Sequence, residues 1–148
     1  MNTEKLYLPI KRELLEFYVF WVAILLSKYL VMIAQVGISR AYFKVPLNEE
    51  DGKVLRGKVR AHEAVDRNRR AHLNDLENIP FFIIISFLYL LTDPSVGSTK
   101  LIIRIYVLSR ILYTFTYTIL KSAIRIPMFQ LGILINSYLT LKVIYHFS

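Results

Sequence analysis

The sequence predicts an all-α integral membrane protein built as a bundle of four transmembrane helices, and three observations carry that reading. Of 148 residues, 55% are hydrophobic and the mean hydropathy is +0.42, more apolar content than a soluble domain of this size usually holds. Only 5 Gly and 5 Pro leave little punctuation for a β-rich fold. Four apolar stretches, Leu14 to Ile38, Leu76 to Leu91, Leu101 to Leu120 and Ile126 to Ile144, each come near the roughly 20 residues a spanning helix needs. Together they use most of the chain.

Composition also excludes several chemistries. With no cysteine there is no disulfide, no cysteine nucleophile and no thiolate metal site. His62, His72 and His146 fall in different segments, so no metal site is expected. The net charge of +8 is concentrated between the first two spans, on Arg40, Lys44, Lys53, Arg56, Lys58, Arg60, Arg67, Arg69 and Arg70. By the positive-inside rule this large first loop faces the cytosol, with both termini opposite and the short Lys121 to Arg125 connection again cytosolic. A nucleic-acid surface is not expected, because Glu49, Glu50, Asp51, Glu63 and Asp66 interrupt the basic run and it hangs between two spans.

Taken in order, a polar lead with Tyr7 and Pro9 suits the membrane interface. The first helix, about 12–42, is too long in its apolar run for a cleaved signal and carries Lys28 well inside. A lone intramembrane lysine calls for a partner on a neighbouring helix, while Tyr18 and Trp21 suit an aromatic belt. Arg40 closes the helix, where a cation complements the dipole. Val45 to Arg60, with Pro46, Asn48, Gly52 and Gly57, reads as a loop.

The second helix, about 64–92, opens with a dense polar run, EAVDRNRRAHLNDLENIPF. At about 100° per residue, Arg67, Arg70, Asn74 and Glu77 form one stripe, with Arg69, His72 and Asp75 on a different face. A stripe of two cations, an amide and a carboxylate must be hidden from lipid, so it predicts the wall of a polar cavity between helices. Pro80 has no amide for the carbonyl of Leu76, and a kink is expected just after Glu77.

After the Thr92 to Ser98 turn, the third helix, about 99–121, sets Arg110, Thr114 and Tyr117 on one face with Tyr113 at its edge. Arg104 lies nearer the non-cytosolic end, where it can snorkel. Arg110 needs a carboxylate at membrane depth, and Glu77 is the expected partner, directly or through a shared anionic ligand. The fourth helix, about 125–146, places Arg125 before Pro127 at its N-terminus. There a guanidinium and the helix dipole act on one spot and would drive a nearby thiol toward thiolate. Gln130 lies about a turn further in, and Asn136 reads as interhelical glue.

These residues carry a resemblance. The run DRNRRAHLNDLEN followed by proline and phenylalanine resembles the signature of the MAPEG family, the membrane-associated proteins of eicosanoid and glutathione metabolism. Arg40, the acidic run from Asn48 to Asp51, and Arg110 with Thr114 and Tyr117 add to it, so the likeness covers nearly the whole chain. Leu73, Tyr113 and Ile126 stand where the family's prostaglandin E synthases have arginine, histidine and serine, which sets this chain on the glutathione transferase side. One residue, Ile79, stands before Pro80 where the family usually has two, turning everything downstream by about 100° unless a bulge absorbs the change.

What the resemblance implies is a single domain over residues 1–148, assembled as a homotrimer in the endoplasmic reticulum membrane, with the mitochondrial outer membrane as a second address. Glutathione, the co-substrate, would lie between subunits near the cytosolic side. Arg40, Arg70, Asn74, Glu77, Arg110, Tyr113 and Tyr117 would bind or frame it and Arg125 would stabilise its thiolate. The implied activity is glutathione transfer to lipophilic electrophiles, with glutathione-dependent peroxidase activity on lipid hydroperoxides. Prostaglandin E synthesis is the second reading. A non-enzymatic lipid-binding scaffold is the third, and it would have no need of the polar stripe. A voltage sensor is disfavoured, since no helix repeats arginine at every third position.

Overall fold

In the computed structural model, which describes residues 10–148, the chain forms five helices: α1 (Arg12–Phe43), α2 (Glu49–Leu55), α3 (Glu63–Leu90), α4 (Val96–Thr118) and α5 (Arg125–Phe147). Tyr7 and Pro9 lie outside the described residues. Three helices, α1, α3 and α5, are long and apolar enough to cross a membrane. The 23-residue α4 matches α5 in length. Its polar residues, among them Lys100, Arg104 and Arg110, leave it outside that group.

The four long helices run up, down, up and down. From one end of the bundle to the other, α1 meets α3 through Tyr18 with Ile83, Tyr29 with His72, Gln35 with Asn68 and Phe43 with His62. Ascending numbers on one helix against descending numbers on the next make the pair antiparallel. By the same logic Tyr106, Arg110 and Tyr117 of α4 meet Asn78, Asn74 and Arg70 of α3, and Tyr113 and Tyr117 meet Phe129 and Arg125 of α5.

The most apolar part of α3 is 44% buried inside the protein, against 22% for α1 and for α5, which makes α3 the central helix. Its fully buried Phe82 stacks on Tyr106 of α4 with ring centroids 3.6 Å apart and planes 5° from parallel, and Leu14, Leu25, Ile79 and Leu139 close around them. The outward faces stay apolar: Phe20, Leu30, Ile84, Leu134 and Leu141 are all exposed. Such a surface suits lipid and would be a liability in water.

Two differences from the sequence reading have local causes. Within the expected Val45 to Arg60 loop lies α2, because the Asn48 side chain accepts from the Asp51 amide at 2.8 Å and Glu49, Glu50 and Asp51 fill the first turn, where carboxylates oppose the positive end of the helix dipole. The acidic run therefore starts a helix. Gly57 then brings the loop against the end of α1 so closely that a Cβ would sit 2.1 Å from the Lys44 carbonyl oxygen. Helix α4 begins and ends about three residues earlier than expected. Pro94 lies just before it, Thr99 bonds back to the Ser95 carbonyl through its hydroxyl at 2.7 Å, and Lys121, at φ 51°, turns the chain out after its last turn. Helix α3 is α-helical throughout, Pro80 included, with no π turn to absorb the residue missing before it.

Truncating Phe82 to Ala should cost about 3–5 kcal/mol, seen as a large fall in the melting temperature of the purified protein in detergent. Leu134→Ala, on an exposed face of α5, should leave that temperature nearly unchanged.

Candidate functional site

The polar end of the bundle gathers three guanidinium groups around one buried phenol. Arg70 donates from Nε to the Tyr117 hydroxyl at 3.0 Å. The guanidinium carbons of Arg125 and Arg67 lie 4.9 and 5.6 Å from the centre of the same ring. Arg67 is also held by Glu63 at 2.5 Å, one turn back on α3, whereas neither Arg70 nor Arg125 forms an ion pair among the described residues. Three cations with one carboxylate between them make an electropositive spot that favours an anion.

Helix periodicity explains the convergence. Arg67, Arg70 and Asn74 share a face of α3, Tyr113 and Tyr117 are one turn apart on α4, and Arg125 opens α5 directly after the short α4–α5 turn. The Arg125 guanidinium donates to the Ser122 carbonyl at 3.1 Å. The amides of Arg125 and Ile126 already bond to the carbonyls of Ser122 and Ala123, and Pro127 has none. What this helix end offers a ligand is therefore a guanidinium and a dipole rather than free backbone donors. Beside it a groove of about 240 Å³ is lined by Asn74, Tyr113, Arg125, Ile126 and Phe129.

One layer deeper, the structure corrects the expected partner of Arg110. The carboxylate that meets it is Asp75, at 3.3 Å, and not Glu77. Asp75 is fully buried and is shared with Lys28 of α1, which forms an ion pair with it, while Thr114 donates to it at 3.5 Å. Arg110 also donates to the Asn74 side chain and lies 4.7 Å from the Tyr113 ring centre. Asp75 and Glu77 are two residues, about 200°, apart on the helix, so only one of them can face the core. Lys28 does find a partner between helices, and the partner is again Asp75.

Glu77 is exposed and lines a larger cavity of about 670 Å³ between α3 and α5, with Asn78, Phe81, Phe129, Ile133 and Asn136 among its walls. Arg40 bonds to the carbonyls of Val45 and Pro46 at 3.3 and 3.5 Å. Of the sequence-predicted residues, then, Arg70, Asn74, Tyr113, Tyr117 and Arg125 come together within the single chain and Arg110 sits directly beneath them. Glu77 faces its own cavity, and the hydrogen bonds of Arg40 go to the loop after α1. Sequence reasoning missed Asp75 as the ion-pair hub, and it placed Arg67 on the polar stripe without counting it among the binding residues. The signal for Asp75 was available: Lys28 and Arg110, both at membrane depth, each required a carboxylate.

A model of the MAPEG family matches residues 18–145 of the chain. Among curated proteins, the microsomal glutathione S-transferase 1 of Mus musculus is 38% identical over 111 residues, covering 71% of this chain and 72% of its own. That of Sus scrofa is 37% identical over 113 residues, covering 72% and 73%, and that of Rattus norvegicus 36% over 111 residues, covering 71% and 72%.

Asp75→Asn should be among the most damaging single changes, because it strands two buried cations. Breaking a buried pair from one side costs about 3–5 kcal/mol, readable as a lowered melting temperature in detergent. Adding Lys28→Met to that variant removes one stranded charge and should recover part of the loss; a double variant less stable than Asp75→Asn alone would contradict the shared-carboxylate account.

Proposed function

The chain belongs to the MAPEG family, and we propose that it is a membrane-bound glutathione transferase whose thiol substrate sits in the groove between Asn74 and Arg125. The observation that carries the site assignment is the surplus of guanidinium groups around Tyr117 beside a cavity of suitable chemistry. Glutathione brings two carboxylates and, in its reactive form, a thiolate. Arg70 and Arg67 would hold carboxylate by charge-assisted hydrogen bonds. Arg125 at the start of α5 would hold the thiolate, since a nearby cation and a helix N-terminus both favour the charged form of a thiol.

The reaction needs no nucleophile from the protein. The thiolate sulfur bonds to the electrophilic carbon of a lipophilic substrate, and the leaving group departs with its electron pair or, in an addition, the substrate takes up a proton. With a lipid hydroperoxide the thiolate attacks the outer oxygen and the O–O bond breaks. The lipid leaves as its alcohol after protonation and the sulfenic acid of glutathione reacts with a second glutathione to give disulfide and water. The electrophile would arrive sideways from the bilayer through the Phe129 and Ile126 side of the groove.

In this reading the whole chain is one membrane domain and α4 is the fourth span, its arginines turned into the bundle or toward the interface. The protein is a multi-pass protein of the endoplasmic reticulum membrane with the first loop cytosolic, supported by the basic excess of that loop. It works as a homotrimer. The support is Glu77, an exposed carboxylate beside exposed Phe81 at membrane depth, which lipid would not tolerate and a neighbouring subunit could cover. Arg40 would then reach the glutathione of an adjacent protomer.

Purified protein in detergent should conjugate glutathione to a chlorodinitrobenzene-type electrophile; the absence of both turnover above background and glutathione binding would overturn the assignment. The ultraviolet absorbance of bound thiolate gives a sharper test. A positive neighbour lowers a thiol pKa, so Arg125→Ala should move the midpoint of thiolate appearance to higher pH by about 1–3 units, with kcat falling at neutral pH. Arg70→Gln should instead raise KM for glutathione and leave that midpoint close to its original value.

A further inference from the structure

The buried ion cluster does not balance. Lys28 and Arg110 bring two positive charges and Asp75 one negative, and no other salt bridge reaches any of the three among the described residues. An uncompensated cation inside a bilayer is costly and draws in an anion. Arg110 and Asp75 are fully buried, while the Lys28 side chain is 12% exposed. Lys28 is thus the member of the cluster through which an outside anion can supply the missing charge.

It opens into a groove of about 360 Å³ between α1 and α4, where Lys28, Gln35, Thr114 and Thr118 provide the polar lining and Met32 and Phe115 part of the apolar wall. This groove shares no lining residue with the one holding Asn74 and Arg125. Its polar residues are not scattered: Thr114 and Thr118 are the last two turns of α4, so the polar part lies within ~6 Å of that helix end. The rest of the lining is apolar, Val31, Ile111 and Ile119 among it, and beyond the groove Leu30, Leu108 and Leu112 are exposed.

From this arrangement we infer that the α1–α4 groove is a binding site for a long-chain carboxylate, a free fatty acid, whose headgroup meets Lys28 between Thr114 and Thr118 and whose chain lies along the apolar wall. Among the described residues the ammonium is the one cation that reaches this groove and matches a carboxylate's single charge, the Thr114 and Thr118 hydroxyls already donating to Asp75 and to the Thr114 carbonyl, where a glycerophosphate head would bring two acyl chains to a single groove. The inference is independent of which thiol occupies the other groove. Because Asp75 touches both Lys28 and Arg110, and Arg110 holds Asn74, a carboxylate at Lys28 competes with Asp75 for the ammonium and leaves Asp75 more fully to Arg110, at the wall of the groove beside Arg125.

The test uses the full-length protein in phosphatidylcholine nanodiscs and a fatty acid bearing a photoreactive diazirine near its carboxylate. Cross-links should map to α1 and α4 peptides around Met32 and Phe115, and palmitate should compete at a concentration at least tenfold below that of its methyl ester or of lysophosphatidic acid. Lys28→Met should lower labelling at least tenfold and Lys28→Arg should restore it. Should Lys28→Met fail to fold, Thr118→Trp decides, since it fills the mouth of the groove without touching the ion cluster and should abolish labelling. Labelling that maps elsewhere, or that persists in Thr118→Trp, overturns the proposal. Equal competition by the methyl ester would mean an apolar groove only, and preference for lysophosphatidic acid would mean a phosphate site; either also overturns it.

Discussion

A single carboxylate holds three helices in register. Asp75 of α3 is paired with Lys28 of α1 and Arg110 of α4 and receives the Thr114 hydroxyl. A slip of one residue along α3 would swing Asp75 by about 100°, leaving two cations in the bundle with no counter-charge. Apolar contacts around Phe82 and Tyr106 supply cohesion, but Leu, Ile and Phe surfaces tolerate small slips and the ion cluster does not. Gly132 of α5 also lies beside Arg110 on the far side, where a Cβ would be 3.4 Å from Nη1.

That constraint reaches the candidate site through Asn74, the residue before Asp75. Its side chain accepts from Arg110, so the wall of the groove beside Arg125 is fixed by the same guanidinium that meets Asp75. Tyr117, two turns beyond Arg110 on α4, is positioned in turn, and the three arginines gather on it. Each cation raises the energy of the next at this range, and the phenol ring offsets only part of that. The site is thus held in a state that a bound anion relieves. In this the cluster differs from a structural salt-bridge network, in which the charges close on themselves, and it is the property the proposed glutathione site requires.

Much of this was legible in the residues. Apolar stretches with lengths near a bilayer's thickness mark the long helices, and the spacing of Arg67, Arg70, Asn74 and Glu77 marks one polar face. Periodicity does not say which of two polar faces turns inward. On a central helix both do some of the work, and Asp75 was set aside because it fell off the stripe, although it is fully buried and Glu77 is exposed. The same limit explains α2. Pro46, Gly52 and Gly57 read as loop punctuation, and the Asn48 cap that starts a helix between them is a local hydrogen bond of three-residue range, which only a deliberate search for capping residues finds. Two residues of the stripe also separate once the helices are packed. Arg67 joins Arg70 at Tyr117, while Glu77, two to three turns on, faces another cavity.

The charge count ties the two sides of the bundle together. In water a surplus positive charge would be screened within about 10 Å at moderate salt, and Lys28 and Arg110 could drift apart at little cost. Inside an apolar bundle no such screening acts, so the surplus is felt at full strength by the nearest polarisable groups. These are Asn74 and Tyr113 on one side and the Lys28 groove on the other. An anion entering from either side lowers the energy of the same cluster, and the first to bind removes part of the attraction for the second. Two anionic ligands on opposite grooves of this bundle are therefore antagonists. Linkage makes the antagonism reciprocal: an anion in the Lys28 groove and an anion in the groove beside Arg125 each weaken the other's binding to the same extent.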